Sequence, residues 1–310
     1  MRILVTGATG FLGTQLLRAL GGVPVVALTR DQLTFIAAGF KCMTIPPATL
    51  VYGDLSDVGR LERILAEYQI DAVIHLGAQT EIGTAMRDPL GTWETNVRGT
   101  WNVLEACRRQ KVARVIVSAS DKSYGRTPPP YKEGDPLTPD RPYETSKACA
   151  DLIARTYASS YGMSVAVTRC TNLYGPECMT ISTLIPNTIR RVLRGERPII
   201  RNGGAMRRDW LYIEDAVDGY LRLLKSDFVG AINFGTGYAV TVKETVATIL
   251  SLMESDLEPI DEVDKHGEIV DQWTDASLAR KVLGWEPGHS LRDGLKKTIP
   301  WYRDNYLARA

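Results

Sequence analysis

The sequence predicts a doubly wound parallel α/β sheet with a smaller C-terminal α/β lobe, and three observations carry that expectation. Short β-branched runs alternate with amphipathic stretches through the first half of the chain, the pattern of repeated βαβ units. Runs such as Val115-Ile116-Val117 are apolar along their whole length, which suits strands covered by helices on both faces. The first run leads directly into a glycine-rich turn and then a helical pattern. In order, the pattern predicts a strand at 3–5 and a helix from Leu12, then strands at 23–28 and 50–52. A helix from Val58, a strand at 72–75, a helix at 95–110 and a strand at 114–118 follow. A helix at 143–161 and a strand at 165–169 close the regular half. After Gly175-Pro176 the alternation weakens, and helices at 181–194, at 243–253 and after Ser290 mix with turn-rich stretches. The expected division is therefore a sheet domain at 1–174 and a lobe at 175–310, with segments near 209–235 returning to the sheet. The loop that opens with Pro128-Pro129-Pro130 and reaches Pro142 lies between a strand and a helix. A long proline-rich loop beside strand ends is expected to face substrate.

Composition narrows the function classes. With 310 residues, 44% of them hydrophobic and 24% charged, the chain has enough apolar matter for one large or two moderate cores, which excludes disorder and small disulfide scaffolds. Lys and Arg number 37 against 36 Asp and Glu, so a net charge of +1 offers no general attraction for nucleic acid or an anionic membrane. Five scattered cysteines, Cys42, Cys107, Cys149, Cys170 and Cys178, form no C-x-x-C pair, which predicts reduced thiols and no zinc site. No apolar run approaches the roughly 18 residues of a membrane span, and nothing ahead of Ile3 resembles a secretory signal. A cytoplasmic protein is expected.

The turn Thr6-Gly7-Ala8-Thr9-Gly10-Phe11-Leu12-Gly13 follows the first strand and opens a helix. One glycine permits the tight turn, one lets backbone approach a pyrophosphate, and one lets helix and strand pack closely, while free N–H groups at the helix start meet the anion. This context marks a dinucleotide site. The end of the second strand decides between cofactors: Arg30 favours the 2′-phosphate of NADP, and the neighbouring Asp31 could serve the ribose diol of NAD. The reading prefers NADP, with NAD kept open.

Tyr143 and Lys147 are four apart at a helix start, hence on one face. An ammonium beside a phenol stabilises phenolate, so the pair is expected to supply a general base poised near neutral pH. Ser120 stands just past a strand end, where its hydroxyl could bond the same substrate oxygen.

With these residues in place the chain resembles the extended short-chain dehydrogenase/reductase family, in its NAD(P)-dependent nucleotide-sugar epimerase and dehydratase branch, whose dinucleotide domain is a Rossmann sheet. Further landmarks span nearly the whole chain: Gly53-Asp54-Leu55, His75-Leu76-Gly77-Ala78-Gln79, Asn96-Val97-Arg98-Gly99-Thr100, Arg169 through Asn172-Leu173-Tyr174-Gly175-Pro176, and Arg208-Asp209-Trp210 through Asp215. The resemblance implies that Asp54 and Leu55 flank the adenine and that Gly77 and Ala78 line the cofactor, with Tyr143 and Lys147 beside it. It implies that Asn172 and Arg208 meet the diphosphate of a nucleotide-diphosphate hexose; a structural ion pair of Arg208 with Asp209 or Asp215 is the alternative. Glu81 could face the hexose or stand as an exposed loop carboxylate. It also implies a homodimer through the helices at 95–110 and 143–161, each of which carries apolar residues beyond one face.

The segment Ser120-Asp121-Lys122 separates activities within the branch. Epimerases usually carry small uncharged residues after the serine, whereas an acidic pair resembles the 4,6-dehydratases. Asp-Lys in place of the commoner Asp-Glu resembles CDP-glucose 4,6-dehydratases and some UDP-N-acetylglucosamine dehydratases. The expected activity is a nucleotide-sugar 4,6-dehydratase in which Asp121 is the acid and Lys122 the base, each needing a shifted pKa. The alternatives are a 4-epimerase using Ser120, Tyr143 and Lys147 alone, and a non-catalytic dinucleotide sensor.

Overall fold

The computed structural model describes residues 1–30, 47–263 and 269–306. Seven strands, Ile3–Thr6, Val25–Thr29, Thr49–Tyr52, Ala72–His75, Arg114–Ser118, Val165–Cys170 and Gly230–Phe234, form one sheet. Numbered along the chain, they lie in the order 7-6-5-4-1-2-3, and every neighbouring pair is parallel. The alternation of side chains explains why both faces need cover. Ile3 and Val5 join one core with Leu16, Leu17, Tyr220, Leu223 and Trp285. Leu4 joins the opposite core with Leu61, Ile64, Val103, Leu104 and Ala154.

Most elements stand where the residue pattern puts them. The strands Ala72–His75 and Arg114–Ser118 match residue for residue, and the helices Phe11–Ala19, Val58–Glu67 and Pro142–Tyr161 start within a residue of expectation. The long helix begins with proline, whose missing N–H costs nothing in a first turn, and ends at Gly162 with φ +64°. The helix expected from residue 95 begins earlier, at Pro89, capped by Asp88, and passes through a π-helical turn at Glu94–Arg98 before Gly99–Arg109. The helix expected at 181–194 spans Leu184–Leu193.

The chain returns to the sheet through the helix Ile213–Leu224 and the strand Gly230–Phe234, which becomes the seventh strand. Beyond the sheet, Ile185, Ile189, Ile249, Leu295, Ile299 and Tyr302 build a separate core. Short strands flank it: Asn172–Tyr174 beside Trp210–Tyr212, and Arg207–Arg208 between Val240–Thr241 and Asp271–Gln272. The proline-rich loop is anchored to that side, where Tyr131 N–H donates to the Trp273 carbonyl at 3.0 Å. Cys107, Cys149, Cys170 and Cys178 are free thiols; Cys42 lies outside the described residues. Among the described residues no helix is long and apolar enough to cross a membrane, and no cluster suits a metal ion.

One buried ion pair ties the long helix to the sheet. Arg169 on the sixth strand grips Asp151 with two bonds of 2.7 and 2.9 Å, and its guanidinium also bonds the Tyr124 hydroxyl at 2.7 Å. Both charges are essentially inaccessible to water. Removing one partner strands the other charge, so Asp151→Ala is expected to lower stability by about 3–5 kcal/mol in urea unfolding.

Candidate active site

The first and fourth strands are adjacent, and the chain winds outward from them in both directions, which leaves a crevice beyond Thr6 and His75 where such sheets bind ligands. Its floor is too tight for side chains. A Cβ on Gly13 would stand 2.3 Å from the Gly7 carbonyl oxygen, and one on Gly7, whose φ is +64°, would stand 2.7 Å from the Gly77 nitrogen. Gly10 caps the helix Phe11–Ala19 without a side-chain bond, so the first amides of that helix face outward unscreened. This cradle, which any Cβ would fill, fits a dinucleotide pyrophosphate. Phe11 and Leu12 contribute backbone there, because their side chains pack on the core of the second lobe. Gly77 stands where the resembled branch usually has alanine, and the reason is local: a Cβ there would meet Leu55 Cδ1 at 2.9 Å.

At the second strand end Arg30 is exposed, and its charge reaches Asp54. The Asp54 carboxyl is held below its usual range chiefly by the Ser56 amide, which donates at 2.8 Å. Asp31 lies outside the described residues.

Asn96, within the π-helical turn, fastens two walls of the crevice together. Its Oδ1 accepts from Gln79 N–H at 2.7 Å, and its amide donates to the Gln79 carbonyl and to Ser146 Oγ, both at 2.9 Å. Ser146 donates in turn to the Tyr143 carbonyl at 2.7 Å. The Gly77–Ala78 segment and the start of the Tyr143 helix are thus held in one frame. The sequence marks Asn96 only as part of a landmark of the resemblance; its fastening role comes from its burial in the π-helical turn.

Ser120, Asp121, Lys122, Tyr143 and Lys147 come together at the end of the fifth strand. Ser120 Oγ accepts from Lys122 N–H at 3.2 Å, donates to Asp121 Oδ1 at 3.1 Å, and interacts with the Tyr143 phenol. Lys147 shares a helix face with Tyr143, and its ammonium is anchored on the fifth strand. Its ammonium donates to the Ser118 carbonyl at 2.8 Å, and burial lowers its pKa to about 8. Burial, reinforced by the Asp121 charge, instead pushes the Tyr143 phenol up from its ordinary value. Helical spacing set the common face of the two residues but not the partner of the ammonium.

Asp121 is wholly buried, and its Oδ2 has no hydrogen-bond partner in the protein. Burial drives its pKa upward, against the opposing pull of Lys122, the Ser120 hydroxyl and Arg208. The approach of Lys122 to Asp121 is loose at 3.9 Å, and Lys122 Nζ donates to Asn172 Oδ1 at 2.9 Å. Desolvation therefore decides, and Asp121 is suited to hold a proton.

The residues expected to meet substrate divide. Asn172 joins the Lys122 group, and Arg208 is buried with its charge reaching Asp121 and Tyr131. The ion pair considered for Arg208 with Asp209 or Asp215 does not form. Asp209 accepts from Thr236 N–H, Thr236 Oγ1 and Gly237 N–H, and Asp215 pairs with His289 at 2.9 Å. Glu81 is exposed and stands apart from the Asp121 group, accepting from Thr84 at 3.2 Å and from Ser182 at 3.4 Å.

Comparison with known proteins agrees with this geometry. The model of the NAD dependent epimerase/dehydratase family matches residues 3–235. The chain belongs to that family. Among its relatives, a dTDP-glucose 4,6-dehydratase of Mycolicibacterium smegmatis is 36% identical over 98% of this chain and 94% of the relative. One of Streptomyces griseus is 34% identical over 97% and 93%. A solved UDP-glucose 4-epimerase of Thermotoga maritima superposes with a TM-score of 0.90 at 28% identity over 98% of this chain and 99% of the other. A dTDP-glucose 4,6-dehydratase of Streptomyces venezuelae, solved with NAD bound, gives 0.88 at 30% identity over 98% and 97%.

In this family member the glycine cradle is open to a direct test. Gly13→Ala is expected to force the turn apart, costing about 1–3 kcal/mol of stability, and to weaken dinucleotide binding at least tenfold in calorimetric titration.

Proposed function

We propose that the chain is a nucleotide-sugar 4,6-dehydratase acting on a nucleotide-diphosphate hexose with a resident nicotinamide dinucleotide. The observation that carries this is the wholly buried Asp121, whose unpartnered Oδ2 sits beside Lys122 and Ser120. A 4-epimerase has no use for an added acid at that place, whereas elimination across C5 and C6 requires one. The names of the curated relatives support the same reading.

In this mechanism Tyr143 takes the proton of the C4 hydroxyl while the Ser120 hydroxyl bonds the same oxygen. Lys147 stays largely protonated at neutral pH, its pKa being about 8, and its positive charge on the same helix face favours the Tyr143 phenolate against the burial that opposes it. When bound, NAD supplies reversible hydride storage between C4 and C6. Once C4 is a ketone, Lys122 removes the acidified C5 proton and Asp121 protonates the departing C6 hydroxyl, which leaves as water. Asn172 and Arg208 are assigned to the diphosphate and Glu81 to the hexose side of the cleft. The finer preference for NADP rests on the exposed Arg30; the NAD-bound structure of the Streptomyces venezuelae relative supports NAD. Exposed Trp93, Trp101, Leu152 and Tyr161 on neighbouring helices support a homodimer through that face, which sedimentation would test.

The test is mass spectrometry of CDP-, UDP-, GDP- and dTDP-hexoses after incubation. One of them is expected to yield a 4-keto-6-deoxy product 18 mass units lighter, by loss of water. Inversion at C4 without mass change would establish the epimerase instead, and an unchanged panel the sensor.

Asp121→Asn is expected to slow elimination about 10²–10⁴-fold while C4 oxidation continues, so that reduced dinucleotide accumulates at 340 nm. Because Asp121 must carry a proton, elimination in the unaltered enzyme falls as pH rises through its elevated pKa. Arg30→Ala is expected to weaken NADP binding while leaving NAD binding within about twofold, since it deletes only a 2′-phosphate contact. Equal losses for both dinucleotides would remove Arg30 from cofactor selection.

A further inference from the structure

The acid and the base of the proposed elimination are neighbours in one turn, yet they do not bond each other. Lys122 Nζ stands 3.9 Å from Asp121 Oδ1, beyond hydrogen-bond distance, and donates to Asn172 Oδ1 at 2.9 Å. The Asp121 side chain is wholly inaccessible, whereas that of Lys122 keeps 18% of its surface open, so Lys122 is the member of the pair that a ligand can reach. A flexible four-carbon stem would let the ammonium close on the carboxyl if nothing held it away.

Asn172 is well placed to hold it. Thr171 N–H donates to the Phe234 carbonyl of the seventh strand at 3.0 Å, and Asn172 N–H donates to the Asp209 carbonyl at 3.2 Å. The side chain adds a bond from Nδ2 to the same Asp209 carbonyl at 3.3 Å. That bond fixes which way the amide faces: a carbonyl only accepts, so Nδ2 lies toward Asp209 and Oδ1 toward Lys122. Oδ1 likewise only accepts. It takes an N–H from Lys122 whether the group is an ammonium or a neutral amine, and it offers no proton to the amine lone pair. An amide turned the other way would donate into that lone pair and quench the base.

We propose that Asn172 is a positioning residue for Lys122, its Oδ1 holding Nζ away from the Asp121 carboxyl and leaving the amine lone pair free for the C5 proton. This deepens the dehydratase reading and rests on it. A direct pair would favour Lys122 as ammonium and Asp121 as carboxylate, the two forms in which neither can do its work. Burial raises the Asp121 pKa, and a lysine held at a distance leaves that effect standing. The amide carries a second N–H for the diphosphate contact assigned above, so the two roles are compatible.

The experiment compares Asn172→Ala, Asn172→Asp, Lys122→Met and the Asn172→Ala/Lys122→Met double variant in the holoenzyme, with the hexose that the unaltered enzyme dehydrates. Asn172→Ala is expected to lower kcat for the 4-keto-6-deoxy product about a hundredfold while C4 oxidation continues. Reduced dinucleotide should then accumulate at 340 nm, and exchange of the C5 hydrogen with solvent deuterium should slow in parallel. The double variant should be no slower than Lys122→Met alone. A raised KM with kcat spared would leave Asn172 a diphosphate contact only and overturn the proposal. So would losses that multiply in the double variant, or a slow Asn172→Ala in which no reduced dinucleotide builds up.

Asn172→Asp keeps the size of the side chain and guards against misfolding as the explanation. Its carboxylate favours the Lys122 ammonium and opposes ionisation of Asp121, so at saturating substrate the whole kcat profile is expected to move to higher pH. The other charged or titratable groups that act on this turn are Tyr143 and Glu144 on the helix Pro142–Tyr161, Tyr131, Arg208 and Asp209, and they are the same in every variant. An unmoved profile would also overturn the assignment. Each of these failures leaves the dehydratase reading intact. If the unaltered enzyme forms no keto sugar from any hexose of the panel, that reading falls and the role of Asn172 toward Lys122 falls with it.

Discussion

Desolvation at the end of the fifth strand is the constraint on which the chemistry depends. Asp121 sits where the fifth strand ends, in a turn packed against the helix Pro142–Tyr161 and the sixth strand, out of reach of water. Burial disfavours a carboxylate there and raises its pKa. Lys122 could have reversed that by direct pairing, but its ammonium is drawn to Asn172 instead. Asn172 is placed by the short strand Asn172–Tyr174 alongside Trp210–Tyr212. The charge surroundings of Asp121 therefore depend on a strand pairing beyond the main sheet as well as on its own neighbours.

The parallel sheet was legible because both of its faces are buried and its strands say so. Every residue of Ile3–Thr6 and of Ala72–His75 is buried, and no other arrangement accommodates such runs between amphipathic helices. The seventh strand was harder to read. Gly230–Phe234 opens with glycine and alanine and is only partly buried over those two residues, so its period is weak and its place beside the sixth strand is a tertiary fact. The π-helical turn at Glu94–Arg98 was likewise invisible, since nothing in local propensity marks an extra residue in a helical turn. Its purpose is plain in three dimensions, because it aims Asn96 at Gln79 and Ser146.

At the site, residue identity was readable and electrostatics were not. Helical spacing placed Tyr143 and Lys147 on one face, and the strand end placed Ser120 beside them. Which backbone group the ammonium takes as its partner is a tertiary matter, and Lys147 donates to the Ser118 carbonyl. Glu144 illustrates the same limit from the other side. In the sequence it is one more acidic residue in a first turn, where the helix dipole favours negative charge on the surface. Only the packing of that helix against the turn Asp121–Tyr124 shows that the residue is buried.

Such groups are costly, and their distribution carries an argument of its own. Asp121 Oδ2, Glu144 Oε2, Thr171 Oγ1, Gln272 Nε2 and Thr274 Oγ1 are all buried without a protein partner. Thr171 and Thr274 meet Asp209 around Gly235, where a Cβ would stand 2.3 Å from Thr274 Oγ1 and 2.6 Å from Asp209 Oδ2. Gln272 is paired in register with Arg208. Each unmatched group costs about 1–3 kcal/mol, and a chain shaped for stability alone would replace them with apolar residues of similar volume. Asp121 and Glu144 belong to the turn and helix at the end of the fifth strand, and Thr171, Gln272 and Thr274 to the short strands and loops around Arg208, Asp209 and Gly235. A bound ligand could supply the partners these groups lack, and that would offset their cost.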